Sequence, residues 1–325
     1  MPHFTHKTLA ACVAFASAAI LAVPALASED LGTGTTGALD EAPLIIDTVT
    51  VTGRSPEQAK AFVDEVLDAN KPKEQLARWN RGVCTSVAGM REDQAQYLVD
   101  RISAHAASLG LQPEAPGCEP DILIYVTEDP NGLAKGLFEK RKSLFAYYSH
   151  RFILTEGREA LEEFLTNDRP VRWWRISQEM NDDGRSLLGL AGGGEAALTK
   201  RGRSNVKISD VAPVSDSPGS RVSLDTREEL FRTIIIVDVN QVKGVPLTAV
   251  ADYLTMVSLA QVSADLETVS QPSILNLFSP SPGATVHAMT DWDADFLHSL
   301  YSVRGNRSAT NQVYEIARNM KREPH

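Results

Sequence analysis

Ile234-Ile235-Ile236-Val237 is a run of four β-branched residues without a polar break, inside the segment from Phe231 to Val239. Such a run reads as a central strand of a sheet, buried on both faces. It leads through Gly244 to Pro246, which opens a helix predicted to end near Gln261. That helix carries Leu247, Val250, Ala251, Leu254, Met256 and Val257, so it is apolar around most of its circumference and belongs in a core. Beyond it, Thr290-Asp291-Trp292-Asp293 has the pattern of a capping box opening a helix through Tyr301, and Ala309 to Met320 reads as a terminal amphipathic helix.

The first half has a different rhythm. Ile45 to Thr52 alternates with period two and is rich in β-branched residues, which predicts a strand, and Ser55-Pro56-Glu57-Gln58 then opens a helix to about Leu67. A helix from Glu92 to about Leu109 places Ala95, Leu98, Ile102 and Ala106 at helical spacing and stops at Gly110. Asp121 to Val126 reads as a buried strand, Asn131 to Leu144 and Glu156 to Leu165 as helices, and Arg172-Trp173-Trp174-Arg175-Ile176 as a strand with an aromatic face. The expected fold is α+β: an alternating α/β first half over 44–182, a Gly-rich loop over 183–205, and a C-terminal half over 206–325, with a mixed sheet packed by helices.

Residues 1–27 have the layout of a secretory signal. A short polar and basic start with His3, His6 and Lys7 precedes an apolar run from Leu9 to Val23, then Pro24 and the small-residue stretch Ala25-Leu26-Ala27 ahead of Ser28. The run is shorter than the roughly 20 residues a membrane-spanning helix needs. Cys12 lies inside it rather than after a lipidation motif, so a periplasmic or secreted soluble protein is expected, beginning near Ser28. Residues 28–43 are mostly Gly, Thr, Asp and Glu and read as a flexible tail.

The expected mature chain keeps two cysteines, Cys84 and Cys118, in a compartment that permits oxidation, and a disulfide between them is predicted. The whole chain carries a net charge of −10; removing 1–27 takes away one lysine and no acid, giving −11. Nucleic acid and anionic lipid are poor partners for such a surface. The basic clusters Lys140-Arg141-Lys142 and Lys200-Arg201-Gly202-Arg203 are short and read as solvated loops and helix faces.

Candidate chemical motifs fail one by one. Gly192-Gly193-Gly194 is followed by Glu195-Ala196-Ala197 rather than by the Gly-Lys-Ser/Thr of a phosphate loop. Asp291, Asp293 and Asp295 have the alternate spacing of a calcium loop, but Phe296 and Ser302 stand where its glycine and glutamate belong, so helix capping explains them better. Ser204 and Lys207 have serine–lysine hydrolase spacing in a strand-like context that lacks the companion motifs. His105, His150, His287, His298 and His325 are isolated from one another, without the paired spacing of a zinc site. No catalytic, metal-binding or cofactor-binding residue is assigned.

The succession Ile235-Ile236-Val237-Asp238, Ala251-Asp252-Tyr253-Leu254-Thr255-Met256, Leu259-Ala260-Gln261, Pro272-Ser273-Ile274-Leu275, Thr290-Asp291-Trp292-Asp293 and Leu300-Tyr301 resembles a family of uncharacterised exported proteins of alphaproteobacteria. The Val-Thr-Gly opening at 51–53 and the two cysteines fit it as well. More distantly, the order strand, core helix, Pro-Ser segment and final helices resembles degenerate zincin-like exported domains of unknown function. In that pattern the core helix holds His-Glu-x-x-His; here Asp252, Tyr253 and Met256 occupy those positions, which implies at most a zincin-like scaffold without its chemistry. A non-catalytic binding or envelope-accessory protein is the expectation, with an envelope protein as its partner and with Trp173 and Trp174 as exposed aromatic contacts. The alternatives are a hydrolase whose site, built on Asp238, Asp252 or Tyr253, is assembled from residues distant in sequence, and a carrier of small molecules or lipid.

Overall fold

The computed structural model describes residues 54–67, 75–146, 153–181, 184, 224–279 and 286–320, all within the compact unit Val51–His325. The leader, the acidic tail, the strand expected over 45–52, the Gly-rich loop apart from Gly184, the 200–207 motifs, His150 and His325 lie outside the described residues.

In chain order the elements are α1 (Pro56–Leu67), β1 (Thr85–Ala88), α2 (Glu92–Ser108), β2 (Ile122–Thr127), α3 (Pro130–Lys140), a 3₁₀ turn (Lys142–Phe145), β3 (Ile153–Thr155) and α4 (Gly157–Thr166). They continue with β4 (Val171–Asn181), β5 (Thr226–Asp238), α5 (Leu247–Leu259), a second 3₁₀ turn (Ile274–Phe278), α6 (Asp291–Ser302) and α7 (Ala309–Asn319). The strands form one five-stranded mixed sheet in the order β1-β2-β5-β4-β3. β1, β2 and β5 run parallel, while β4 is antiparallel to both β5 and β3. The fold is α+β with helices packed on the sheet.

β5 is the centre of the sheet, as its β-branched run predicts. Ile235 and Val237 join the larger core with Ile122, Ile124, Trp173 and the apolar helix α5, whereas Ile234 and Ile236 join a second core with Trp174 and helices α3 and α4. One strand thus buries alternate side chains against two helical layers, which is why its sequence shows no polar alternation. Because β5 lies between β2 and β4, the two halves read from the sequence share a single sheet.

Two strands run longer than the sequence pattern suggests. β4 extends to Asn181 and β5 begins at Thr226, through Arg227, Glu228 and Glu229, because the two pair antiparallel along this polar stretch. A β-bulge beside Ile176 and Ser177 shifts the register there, so Ile176 faces Arg232 and Ser177 faces Leu230. β1 was too short and too polar to stand out in the sequence. It is set by Cys84, whose carbonyl accepts from the backbone N–H groups of Asp121 and Ile122, while its own N–H donates to the Asp121 carboxylate.

Cys84 and Cys118 come within disulfide distance, with Cα atoms 6.1 Å apart. The pair closes a segment that contains β1 and α2 and ends just before β2. At the other end of the core, the capping box expected at Thr290 and Asp293 is present. Asp293 is buried and also accepts from the Ser273 hydroxyl and the Ile274 N–H, so it ties the start of α6 to the second 3₁₀ turn. No described helix is long and apolar enough to cross a membrane.

Candidate functional site

The chain leaves the carboxyl ends of the neighbouring parallel strands β2 and β5 in opposite directions. After β2 it enters α3, which packs in the second core through Ala134, and after β5 it reaches α5, which packs in the first. Such a reversal opens a crevice beyond the strand ends, the usual ligand position in open α/β sheets. Asp238 ends β5 there, opposite Thr127 at the end of β2.

Local hydrogen bonds fix this end of the sheet. The Val239 N–H donates to Thr127 O at 3.0 Å, and the Asn240 side chain donates to Glu128 O at 3.2 Å. Asp129 caps α3 by accepting from the Gly132 N–H at 2.9 Å. The two oxygens of Asp238 are held apart: one accepts from the Asn240 N–H at 2.9 Å, the other from Gln241 Nε2 at 3.1 Å. Gln241 Nε2 also donates to Asp168 at 2.8 Å, so one amide joins two carboxylates.

Arg172 enters from β4. Alternation along the strand puts it on the face of Trp174, and its pairing with Ile236 makes it a diagonal neighbour of Asp238 on that face. The residue is 4% exposed, and its Nη1 caps the end of α4 by donating to Phe164 O at 3.0 Å. Its Nε and Nη2 are buried without a hydrogen-bond partner. Burial pulls the guanidinium below its ordinary pKa, and the charges of Asp238, Asp168 and Asp129 pull it back up. The floor of the site, Arg172 and Asp238, is buried; Asp129, Asp168 and Gln241 are exposed at its rim.

Asp252 sits elsewhere, on α5, and is fully buried. Arg101 from α2 grips it at two points, Nε to Oδ1 at 2.7 Å and Nη2 to Oδ2 at 3.1 Å. The Met289 N–H donates to Oδ2 at 2.8 Å, and His105 Nε2 lies 3.6 Å from Oδ1. Burial alone would raise this carboxyl, but the neighbouring His105 imidazole and the hydrogen bonds from Arg101 and Met289 outweigh it and hold the group well below the usual carboxylate range. Tyr253 packs edge-on against Trp173 and Phe278, with ring centroids 6.4 and 5.0 Å away, and burial pushes its hydroxyl pKa up. Met256 is buried in the core. The structure therefore does not join Asp238, Asp252 and Tyr253 in one site: the first faces the strand ends, the second α2, the third an aromatic cluster.

Trp173 and Trp174 are not exposed contacts. They are 3% and 2% exposed on opposite faces of β4, because helices or loops cover both sides of the sheet. Each indole finds a carbonyl, Val262 O for Trp173 and Phe145 O for Trp174. The calcium-like aspartates also diverge: Asp293 turns inward to Ser273, while Asp295 pairs with Arg54. His287 and His298 are exposed. Among the described residues, no group of three or more His, Cys, Asp or Glu side chains is arranged to hold a metal ion.

Arg172 escaped the sequence reading, although a signal was there. An arginine placed in phase with Trp174 on a buried strand needs a polar partner, and the sequence does not show where that partner lies. Comparison with protein families, with characterised proteins and with solved structures finds no match.

Proposed function

We propose that the chain is an exported, non-catalytic binding protein of the cell envelope, and that it holds a small polar ligand at the carboxyl ends of β2 and β5. The observation that carries this reading is Arg172, a buried guanidinium with two unpartnered nitrogens, Nε and Nη2, at the point where the fold reverses direction. A buried donor without an acceptor costs about 1–3 kcal/mol, and a ligand acceptor would recover it. An exposed polar rim around a buried charged floor also suits a site that a solute enters from water. Export rests on the tripartite leader in 1–27, and a cysteine pair at disulfide distance accords with an oxidising compartment.

Native mass spectrometry on the protein purified from cells expressing the full chain tests the reading. A co-purifying small molecule, lost from an Arg172→Lys variant of unchanged far-UV circular dichroism, is the expected result. A protein that carries no small molecule and instead retains a stoichiometric envelope protein would replace it with the accessory role.

A further inference from the structure

At the carboxyl ends of β2 and β5, Asp238 is the diagonal neighbour of Arg172, Gln241 Nε2 joins Asp238 to Asp168, and Asp129 caps α3 just beyond β2. All three carboxylates act on the Arg172 guanidinium electrostatically. The free N–H groups of that guanidinium are Nε and Nη2, the two along one edge of its plane, because Nη1 is taken by Phe164 O. This edge matches two oxygens lying in one plane, as in a carboxylate. Asp238 does not fill it: Nε and Nη2 have no partner, while the Asp238 oxygens accept from Asn240 and Gln241.

Charge narrows the ligand further. Three negative groups against one positive group leave an excess of negative charge that opposes a phosphate or a simple organic acid. The same excess favours a ligand that brings its own cation. Asp168 and Asp129 stand at the exposed rim, where an ammonium keeps part of its hydration while it is attracted.

Resting on the binding reading above, we propose that the site takes a small zwitterion of the α-amino-acid class, its carboxylate on the Nε–Nη2 edge of Arg172 and its ammonium among Asp129, Asp168 and Asp238. No covalent step is involved. The three carboxylates and Gln241 select for the ammonium, and Arg172 fixes the orientation of the carboxylate.

The test is isothermal titration calorimetry of the purified protein against each of the twenty L-amino acids. The controls are the amines and the carboxylic acids that each lack one of the two groups, and neutral monosaccharides. Binding of one or more amino acids, weakened at least tenfold when either group is missing, is expected. Arg172→Lys should weaken it at least tenfold; Asp168→Asn, at an exposed position, should weaken it severalfold with an unchanged melting temperature. Binding of monosaccharides without amino acids would overturn the zwitterion and leave the binding function standing. Amino-acid binding that Asp168→Asn and Arg172→Lys both leave untouched would place the ligand elsewhere and overturn the site. Silence across the whole panel, together with no co-purifying small molecule, would overturn both.

Discussion

Arg101 and Asp252 form a two-point ion pair between α2 and α5, with one partner fully buried and the other 39% exposed in its side chain. The asymmetry decides what each substitution costs. Arg101→Ala strands a buried carboxylate that keeps only the Met289 N–H and the His105 contact. A fully buried pair broken this way loses about 3–5 kcal/mol; water reaching the exposed side lowers the expected loss to about 2 kcal/mol. Asp252→Asn leaves Arg101 to solvent and keeps an acceptor for Met289, so it should cost about half as much. Urea denaturation of the two variants measures the order, and an equal or inverted order would show that the pair does not anchor α2.

The same pair predicts the acid limb of stability. The Asp252 carboxyl is held below its unfolded value, so its contribution is present above that value and is lost as pH falls from about 5 downward. Asp293 has the opposite sign: burial pushes its carboxyl up against the donors from Ser273, Ile274 and Thr290. Its contribution is greatest below the unfolded value and declines as pH rises through the folded one. Stability measured from pH 7 to pH 3 should fall less steeply in Asp252→Asn than in the wild-type protein. Parallel curves would remove Asp252 as a source of acid sensitivity.

The residues that revealed the fold early are those whose neighbours in sequence carry the information. Ile234 to Val237, the apolar circumference of α5 and the Thr290–Asp293 box each declare themselves within a dozen residues. The candidate site does not. Arg172 and Asp238 are far apart in sequence and become neighbours only because β4 pairs with β5, while Asp129 arrives from the turn between β2 and α3. Trp173 and Trp174 show the converse error. Two adjacent aromatics on a strand must face opposite ways, and their burial depends on cover for both faces, supplied from one side by the 3₁₀ turn at Phe145 and from the other by the loop at Val262.

Cys84 and Cys118 are separated by 34 positions. Closing a loop of that length lowers the entropy of the unfolded chain, a stabilisation of about 3–4 kcal/mol. The Cys84→Ser/Cys118→Ser protein should melt roughly 10 °C lower, on the scaling for domains of this size. Differential scanning calorimetry measures the shift, and a difference within about 2 °C would show that the pair is not closed in the isolated protein.

Export makes its own prediction. Ala25-Leu26-Ala27 precedes Ser28 at the end of the leader, so the protein recovered from the periplasm should begin at or within a residue or two of Ser28. Intact-mass measurement of the purified protein reads this directly. A mass that includes Met1 to Ala27 would refute cleavage and, with it, the assignment of the protein to the envelope.

Gly89 ties the stability of the sheet to the geometry of the strand ends where the ligand site is proposed. It follows β1 with φ of +90°, and a Cβ at this position would lie 2.0 Å from Val126 O. Both features oppose a side chain: the conformation is one that L residues seldom adopt, and the obstacle is the backbone of β2, which cannot swing aside. Gly89→Ala should cost about 3 kcal/mol or more, combining backbone strain with the displacement needed to relieve the overlap. That displacement would act on the last residues of β2, next to Thr127 and the Asp129 cap of α3. If the proposed site holds, the variant should therefore lose amino-acid affinity even under conditions where it remains folded. Gly110→Ala is the control, since Gly110 also has a positive φ of +81° but nothing within 4 Å of the added Cβ. It should show only the conformational cost, about 1 kcal/mol, and unaltered binding. Equal losses in the two variants would mean that the contact with Val126 does not position the strand end.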